Sequence, residues 1–290
     1  MFRTSLVTRR TLTAAAFTTF AIDARGAPSS VSAELQEIEK FAGGQLGVFA
    51  RQTEPERSLA LGADVRFLMC STFKLLAAAG TLDRIDNHHE LATRRLSYSA
   101  SDLVEPHPVT GSNVQAGSLP LWTLCEAAVA QSDSTAANLL MRAAGGPAGL
   151  TGFIRSIGDG VTRIDRYELA ANTASGDLDT TTPKAVVRSV HKLLLTDRLS
   201  LKSRQALEEW MRADQRGLRR LRAGFPPSWM AGSKPGTSPV VVNDVAVLRP
   251  PSGTPVIVGA FYRSEPAPLE KREAVLASVG RVVAHWVEKA

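Results

Sequence analysis

A serine and a lysine three residues apart form the most informative pair in this chain. Ser71 and Lys74 stand at the start of an apolar stretch in which Leu75, Ala79 and Leu82 recur at helical spacing. On a helix this spacing puts the serine and the lysine on one face, with the serine in the first turn. A lysine whose pKa is lowered by its surroundings can activate a serine hydroxyl. The pair therefore predicts a nucleophilic serine, although an isolated S-x-x-K also occurs as a solvated serine beside an exposed lysine.

Three further polar groups follow along the chain, each beside a predicted element or in a polar loop. Ser132-Asp133-Ser134 directly precedes a helix predicted over Thr135 to Arg142. Arg166-Tyr167-Glu168 and Asn172 lie in a polar stretch, and Lys234-Pro235-Gly236-Thr237 lies on a strand-like segment. In this order and at these separations the groups resemble the S-x-x-K, S-D-N and K-T-G motifs of the class A serine β-lactamases.

The resemblance runs from about Phe41 to the C-terminus. It includes stretches outside the motifs, which are Thr135-Ala136-Ala137-Asn138-Leu139-Leu140, Gly145-Gly146-Pro147, Asp179-Thr180-Thr181 and Asn243-Asp244-Val245-Ala246-Val247. It implies an enzyme that hydrolyses β-lactam antibiotics through a serine acyl-enzyme, without a metal or an organic cofactor. Two alternatives share the serine and the lysine. One is a D-alanyl-D-alanine peptidase, and the other is a β-lactam-binding protein that does not hydrolyse its ligand.

The resemblance gives four residues a catalytic role. Ser71 attacks the lactam carbonyl, and either Lys74 or Glu168 is the acylation base. Ser132 passes a proton to the departing lactam nitrogen. Glu168, together with Asn172, holds the water that hydrolyses the acyl-enzyme. That water separates a hydrolase from a protein that stays acylated, and a peptidase has no reason to carry Glu168 and Asn172 in such a loop.

The resemblance also implies a substrate-binding group, whose members are Ser134, Asn172, Arg220, Lys234, Gly236 and Thr237. The oxyanion would lie between the backbone N–H groups of Ser71 and Thr237. Lys234 would set the electrostatics of Ser132. In the same way, Arg166 and Asp179 match a pair that closes the loop around Glu168 by a salt bridge.

Ser134 and Pro235 are among several departures from the family pattern, and these departures point to an altered substrate preference. Ser134 replaces an asparagine that contacts the side-chain amide of the substrate. Pro235 replaces a threonine whose hydroxyl helps to bind the substrate carboxylate, and proline also lacks a backbone N–H. Arg220 and Thr237 are expected to compensate for Pro235. Alternatively, Arg220 is solvated within the basic run Arg216 to Arg222.

The order of predicted elements indicates an α/β fold. Strands are predicted over Gln45 to Arg51, Arg57 to Leu61, Ser228 to Gly236, Val240 to Leu248 and Pro255 to Tyr262, between an N-terminal and a C-terminal helix. In the chain between these strands, helices are predicted to begin at Ser118 (with Pro120 in the first turn), at Pro147 and at Thr182. Residues 28–68 and 213–290 would form an α/β domain, and residues 69–212 an inserted all-helical domain. The resemblance adds a five-stranded antiparallel sheet with flanking helices, and an active site between the two domains.

Residues 1–27 have the features of an export signal. Arg9 and Arg10 precede a short apolar run from Leu12 to Ile22, and Ala24 and Ala27 bracket the expected cleavage region. The arginine pair suggests the twin-arginine route to the periplasm, and the alternative is an N-terminal helix or membrane anchor. Removal of this segment takes away four arginines and one aspartate and lowers the formal net charge from +6 to +3. We therefore expect a periplasmic monomer that binds neither nucleic acid nor a membrane.

The cysteines and histidines suggest no further chemistry. Cys70 and Cys125 match positions that form disulfides in some family members, but the partner positions hold Ser238 and Ala79. Two buried, free thiols are the better interpretation. The five histidines lack cysteine or carboxylate partners at ligand spacing, so no metal site is predicted.

Overall fold

A computed structural model of the chain describes residues 30–251 and 253–289, so the export signal expected over residues 1–27 lies outside the described residues. The helices are α1 (Ser30–Ala42), α2 (Phe73–Asp86), α3 (Pro108–Ser112), α4 (Leu121–Ala130), α5 (Ser134–Ala143), α6 (Gly146–Ser156), α7 (Pro183–Leu195), α8 (Leu201–Ala213) and α9 (Leu269–Glu288). The strands are β1 (Gln45–Gln52), β2 (Arg57–Leu61), β3 (Phe67–Leu68), β4 (Arg95–Ser97), β5 (Ser118–Pro120), β6 (Thr180–Thr181), β7 (Met230–Thr237), β8 (Val241–Arg249) and β9 (Val256–Arg263). Short 3-10 helices span Cys70–Thr72, Ala100–Asp102, Val114–Ala116, Ala170–Asn172 and Leu221–Gly224.

The main sheet has five antiparallel strands in the order β2-β1-β9-β8-β7. This confirms the expected fold class. The sheet joins the N-terminal and C-terminal parts of the chain, because β1 pairs with β9 and Val48 lies opposite Ala260. Strand β7 is an edge strand, which explains how it accommodates Pro235, since an edge position can lack a ladder N–H. Pro235 lies opposite Asp244 of β8.

The two faces of the sheet belong to two hydrophobic cores. On β8, Ala246 and Leu248 pack in the core shared with α9, whereas Val245 and Val247 pack in the core shared with the helical part of the chain. The two sets separate because side chains alternate between faces along a strand. Helix α2 is buried along most of its length within the second core. The proposed division into residues 28–68 and 213–290, with residues 69–212 inserted, stays a prediction.

One predicted helix start is wrong. The segment Ser118–Pro120 is not the first turn of a helix but the strand β5, which pairs with β4. Helix α4 begins at Leu121, and Pro120 is its N-cap residue in an extended conformation. The sequence was ambiguous because the fixed φ of proline suits both a first helical turn and an extended segment. The start at Thr182 is confirmed, since its hydroxyl accepts a hydrogen bond from the Ala185 N–H at the start of α7.

Close packing of α9 against the 3-10 helix Leu221–Gly224 generates a stability prediction. A Cβ on Gly280 would lie 2.2 Å from the Leu221 carbonyl oxygen. We expect Gly280→Ala to lower the free energy of unfolding by more than about 1 kcal/mol, although alanine is the better helix former by about 1 kcal/mol. The matched control is Gly152→Ala in α6, where nothing lies within 4 Å of the added Cβ. Denaturant unfolding should show the control to be more stable than the parent, and a stable Gly280→Ala protein would contradict the packing.

Candidate active site

Ser71 lies where the 3-10 helix Cys70–Thr72 passes directly into α2. Ser71 is half-buried, and its neighbours Cys70 and Thr72 are buried. Strand β7 passes close beside it, because a Cβ on Gly236 would lie 2.7 Å from the Met69 carbonyl oxygen and 3.2 Å from the Ser71 nitrogen. Glycine is therefore required at position 236 for this approach.

A buried asparagine fixes the segment that leads to Ser71. The Asn243 side-chain amide of β8 donates to the carbonyl oxygens of Leu68 and Met69, at 2.8 and 3.0 Å. These bonds attach the chain before the serine to the sheet. This role of Asn243 was not predicted from the sequence, in which Asn243 only formed part of a matching stretch.

Lys74 lies one helical turn after Ser71 and is fully buried. Its ammonium donates to the Ser132 carbonyl oxygen at 2.8 Å and to Ser134 Oγ at 3.0 Å. It also lies 3.0 Å from Glu168 Oε1. Burial lowers the pKa of Lys74, and the Glu168 carboxylate opposes that shift. A buried lysine of this kind can exchange a proton with a neighbouring group.

The segment Ser132–Ser134 is held by Asp133, a residue for which no separate role was predicted. The Asp133 carboxylate caps α5 by accepting from the Ala136 N–H at 2.8 Å. It also accepts from the backbone N–H groups of Val109 and Thr110 in α3. An aspartate directly before a helix is the usual N-cap signal, so this role was detectable. These bonds fix the serines on either side, and the Ser134 hydroxyl contacts Lys74.

Glu168 is buried and held through both its side chain and its backbone. Asn172 donates to Glu168 Oε2 at 2.5 Å, while Oε1 faces Lys74. Asn138 of α5 donates to the Glu168 carbonyl oxygen at 3.1 Å and accepts from its N–H at 3.0 Å. The structure thus brings Lys74, Glu168 and Asn172 together, and it adds Asn138, which the sequence did not single out.

The loop that carries Glu168 is closed by a buried carboxylate. Arg166 Nε lies 2.6 Å from Asp179 Oδ2. Asp179 Oδ1 also accepts from the backbone N–H groups of Asp165 and Arg166. The salt bridge implied by the family resemblance is therefore present.

Lys234 is the second fully buried lysine of the site. Its ammonium lies 2.8 Å from Asp214 Oδ2, and that carboxylate is also fully buried. Burial lowers the pKa of Lys234 to about 8, while Asp214 acts to raise it. No motif marks Asp214, and the sequence did not predict it.

Arg220 is buried, so the alternative of a solvated arginine is wrong. Its guanidinium donates to the carbonyl oxygens of Gly236 and Asn243, at 2.7 and 2.8 Å, and to Thr237 Oγ1 at 2.6 Å. Its Nε lies 3.2 Å from Glu273 of α9. Arg220 therefore joins β7, β8 and α9 directly beside the exposed Thr237.

The remaining expectations concern the thiols and a metal. Cys70 and Cys125 are free and buried, and burial raises the pKa of each thiol to about 12. Within residues 30–251 and 253–289, no cluster of three histidine, cysteine, aspartate or glutamate side chains is arranged to hold a metal ion. In that same part of the chain, no helix combines the length and the apolar character needed to cross a membrane.

Known proteins share both the sequence and the fold. A family model described as the beta-lactamase enzyme family matches residues 30–287. The β-lactamase AST-1 of Nocardia asteroides is 40% identical over 255 residues, which cover 85% of this chain and 80% of the relative. The β-lactamase OXY-2 of Klebsiella oxytoca is 36% identical over 257 residues, 88% of each chain.

Two solved structures are also similar. A β-lactamase from Burkholderia vietnamiensis aligns with a TM-score of 0.89 and 46% identity, over 92% of this chain and 99% of that chain. An ancestral class A β-lactamase aligns with a TM-score of 0.86 and 46% identity, over 89% of this chain and 100% of that chain.

Proposed function

The chain belongs to the class A serine β-lactamase family and is a β-lactam hydrolase, and we propose that Ser71 carries the acyl group during that hydrolysis. The observation that supports this proposal best is the buried contact of Lys74 with Glu168 at 3.0 Å, one helical turn from the serine. A nucleophilic serine needs a base, and this pair offers two candidate bases in direct contact.

In the acylation step Ser71 attacks the lactam carbonyl and loses its proton. Burial favours the neutral form of Lys74, which can then accept that proton. Lys74 and Glu168 are in contact, so a proton taken up by either of them can be shared with the other. The developing oxyanion would lie between the N–H groups of Ser71 and Thr237, and one such donor typically contributes about 100- to 1,000-fold to the rate.

Lactam ring opening then requires a proton on the departing nitrogen. Ser132 is assigned to supply it, and its backbone is fixed by the bond from Lys74 to its carbonyl oxygen. Lys234 would hold positive charge near this hydroxyl. With a pKa of about 8, most Lys234 side chains carry that charge at neutral pH.

Deacylation is the step that separates a hydrolase from the two alternatives. Glu168 and Asn172, 2.5 Å apart, are assigned to orient and deprotonate the attacking water. A penicillin-binding protein or a D-alanyl-D-alanine peptidase does not need this pair. The geometry supports a β-lactamase more strongly than either of them.

Removal of the Glu168 carboxylate should stop deacylation but leave acylation possible. We expect Glu168→Ala to accumulate a Ser71 adduct that mass spectrometry detects as the protein plus one intact antibiotic. Steady turnover of a chromogenic cephalosporin by the parent should become a single stoichiometric burst. The control Glu126→Ala removes an exposed carboxylate from α4 and should turn over normally.

A Ser71→Ala variant should form no adduct. If Glu168→Ala hydrolyses at the parental rate, or fails to acylate, the role assigned to Glu168 is wrong. A parent that itself shows only a burst would favour the non-hydrolysing alternative.

The substrate carboxylate is assigned to Arg220 and Thr237. Their side chains are joined at 2.6 Å, and Thr237 is exposed beside the cleft. Pro235 lacks the hydroxyl that the family uses there, so these two residues are the available donors. Ser134 retains the contact with Lys74, although its short hydroxyl reaches less far into the cleft than the asparagine it replaces.

The carboxylate assignment predicts a coupling between positions 220 and 235. A hydrogen bond to a charged group contributes roughly 1.5–3 kcal/mol, so Arg220→Ala should lower kcat/KM for penicillins by about tenfold or more. Pro235→Thr should partly rescue that variant and change the parent little. The two positions should then couple by more than about 0.5 kcal/mol in a double-mutant cycle of kcat/KM.

The matched control is Arg219→Ala, which removes an exposed arginine of the same basic run, paired at 3.7 Å with Glu270. It should leave penicillin kinetics close to parental. Active-site titration would correct every rate for the folded fraction, since Arg220→Ala leaves Glu273 unpaired. If the effects of Arg220→Ala and Pro235→Thr on kcat/KM are strictly additive, the proposed compensation is wrong.

Export is proposed from the N-terminal sequence alone. We propose that residues 1–27 direct the chain to the periplasm by the twin-arginine route and are removed there, leaving a monomer with no membrane or nucleic-acid partner. N-terminal sequencing of the periplasmic protein should begin near Pro28. Replacement of Arg9 and Arg10 by lysine should retain the precursor in the cytoplasm, and unchanged export would exclude this route.

A further inference from the structure

Asp244 is a buried carboxylate that the proposed mechanism does not use. It lies on β8 with no exposed surface, and neither of its carboxylate oxygens has a hydrogen-bond partner. Within the part of the chain that the structure describes, no other carboxylate has both oxygens in this condition. Buried carboxylates are normally paired or hydrogen-bonded, so this one calls for an explanation.

The position of Asp244 is directly behind the carboxylate site. Cross-strand neighbours share a face of the sheet, so Asp244 lies on the same face as Pro235 of β7. Ser233 and Thr237 occupy that face as well, two residues before and after Pro235. Arg220 reaches this face because it donates to Thr237 Oγ1. Asp244 and a substrate carboxylate would therefore approach Arg220 from opposite sides.

The two charged groups that act on Asp244, Arg220 and Asp214, each have a partner of opposite charge. Arg220 pairs with Glu273 of α9 at 3.2 Å, and Lys234 of β7 pairs with Asp214, which follows α8, at 2.8 Å. On β9 the residue opposite Asp244 is Ala260, which does not titrate. An ionised Asp244 would therefore lie beside an arginine that already has a carboxylate partner and beside a second carboxylate.

The neutral and ionised forms of Asp244 are consequently both populated near pH 7. Burial raises the pKa of Asp244 to about 7, against the opposing charge of Arg220 and with a further rise from Asp214. Ser233 and the Leu221 N–H lie near enough to lower that pKa, but neither completes a hydrogen bond to the carboxylate. A second carboxylate that arrives at Arg220 would repel the ionised form and favour the neutral one.

We propose that Asp244 is a positioning residue of the carboxylate site that takes up one proton from solvent when an anionic β-lactam binds at Arg220. The affinity for such substrates then falls as the pH rises through neutrality, because binding is coupled to proton uptake and the proton concentration falls. This inference rests on the proposed function, which assigns the substrate carboxylate to Arg220.

The sign of the effect follows from the two protonation states. Below about pH 6 Asp244 is already neutral, so binding captures no proton. Near pH 7 binding should capture about half a proton per ligand, since part of the population is ionised. Lys234, with a pKa of about 8, adds a separate loss of affinity at higher pH. The two effects are separated by a variant that lacks only the titration of Asp244.

The experiment uses the full chain with Ser71→Ala, so that a penicillin binds without reacting. Calorimetry at pH 7 in two buffers of different ionisation enthalpy measures the protons captured on binding. From pH 6 to 7.5 the Kd should rise about threefold or more in this background. With Asp244→Asn added, the proton uptake should disappear and the Kd should change by less than about twofold over the same range.

Two matched variants test the specificity of that result. His107→Gln removes a half-buried histidine near the cleft and should leave the uptake unchanged. Asp86→Asn removes a carboxylate at the far end of α2 and should also leave it unchanged. Loss of the uptake in either of them, with retention in Asp244→Asn, would overturn the assignment to Asp244.

The outcomes for Arg220 and Asp244 are distinguishable. If Arg220→Ala binds the penicillin with the parental Kd, the carboxylate assignment of the proposed function fails. If Arg220→Ala weakens binding but the Ser71→Ala protein captures no proton at pH 7, the inference about Asp244 fails and the assignment stands. Proton uptake by the Ser71→Ala protein is measured without any change at Asp244. The inference can therefore be contradicted even if the Asp244→Asn protein folds poorly.

Thermal unfolding provides an independent readout. A carboxyl whose pKa is raised on folding destabilises the protein above its unfolded pKa, and the cost is complete above its folded pKa. The gain in Tm of Asp244→Asn over its parent should therefore be larger at pH 8 than at pH 4. An equal gain or loss at both pH values would mean that Asp244 does not titrate in this range.

Discussion

Two ammonium groups buried beside one serine impose the main constraint on this structure. Lys74 and Lys234 have no exposed surface, and an unpaired buried charge costs several kcal/mol. Each lysine therefore needs a carboxylate in contact, and Glu168 and Asp214 provide them at 3.0 and 2.8 Å. The positive charge of Lys74 also lowers the pKa of Lys234. The fold must place two cations close enough to act on one substrate while it pairs each of them separately.

Neutral amides do much of the positioning that this arrangement requires. Asn138 bonds both backbone groups of Glu168, and Asn243 bonds the two carbonyl oxygens before the nucleophile segment. At Glu168 the amide satisfies the backbone N–H and carbonyl of a loop residue, whereas at Met69 it adds a bond to a carbonyl that also accepts from the Thr72 N–H. Because these amides carry no charge, they hold the catalytic groups without changing the balance of charge between the lysines and carboxylates.

The sequence predicted most of the architecture and the residues of the motifs. The bounds of the five strands of the main sheet agree within about two residues, because valine-rich runs mark β8 and β9 and polar or proline-containing turns separate the paired strands. The short strands β3 to β6 were not predicted as strands. The burial of Arg220 was undecided, since a run of arginines also occurs on solvated surfaces. The partners Asp214, Asn138 and Glu273 were not predicted. Each is distant in sequence from the group it contacts, and no periodicity links the two members of such a pair.

The two cysteines bear on where the chain can complete its folding. Cys70 and Cys125 are free thiols in the interior, so no disulfide contributes to the packing of the part that the structure describes. Oxidation is consequently not a step in the assembly of this fold, and a reducing compartment offers no obstacle to it. The chain can therefore reach its final packing in an oxidising or a reducing compartment, and the timing of its folding is independent of redox conditions.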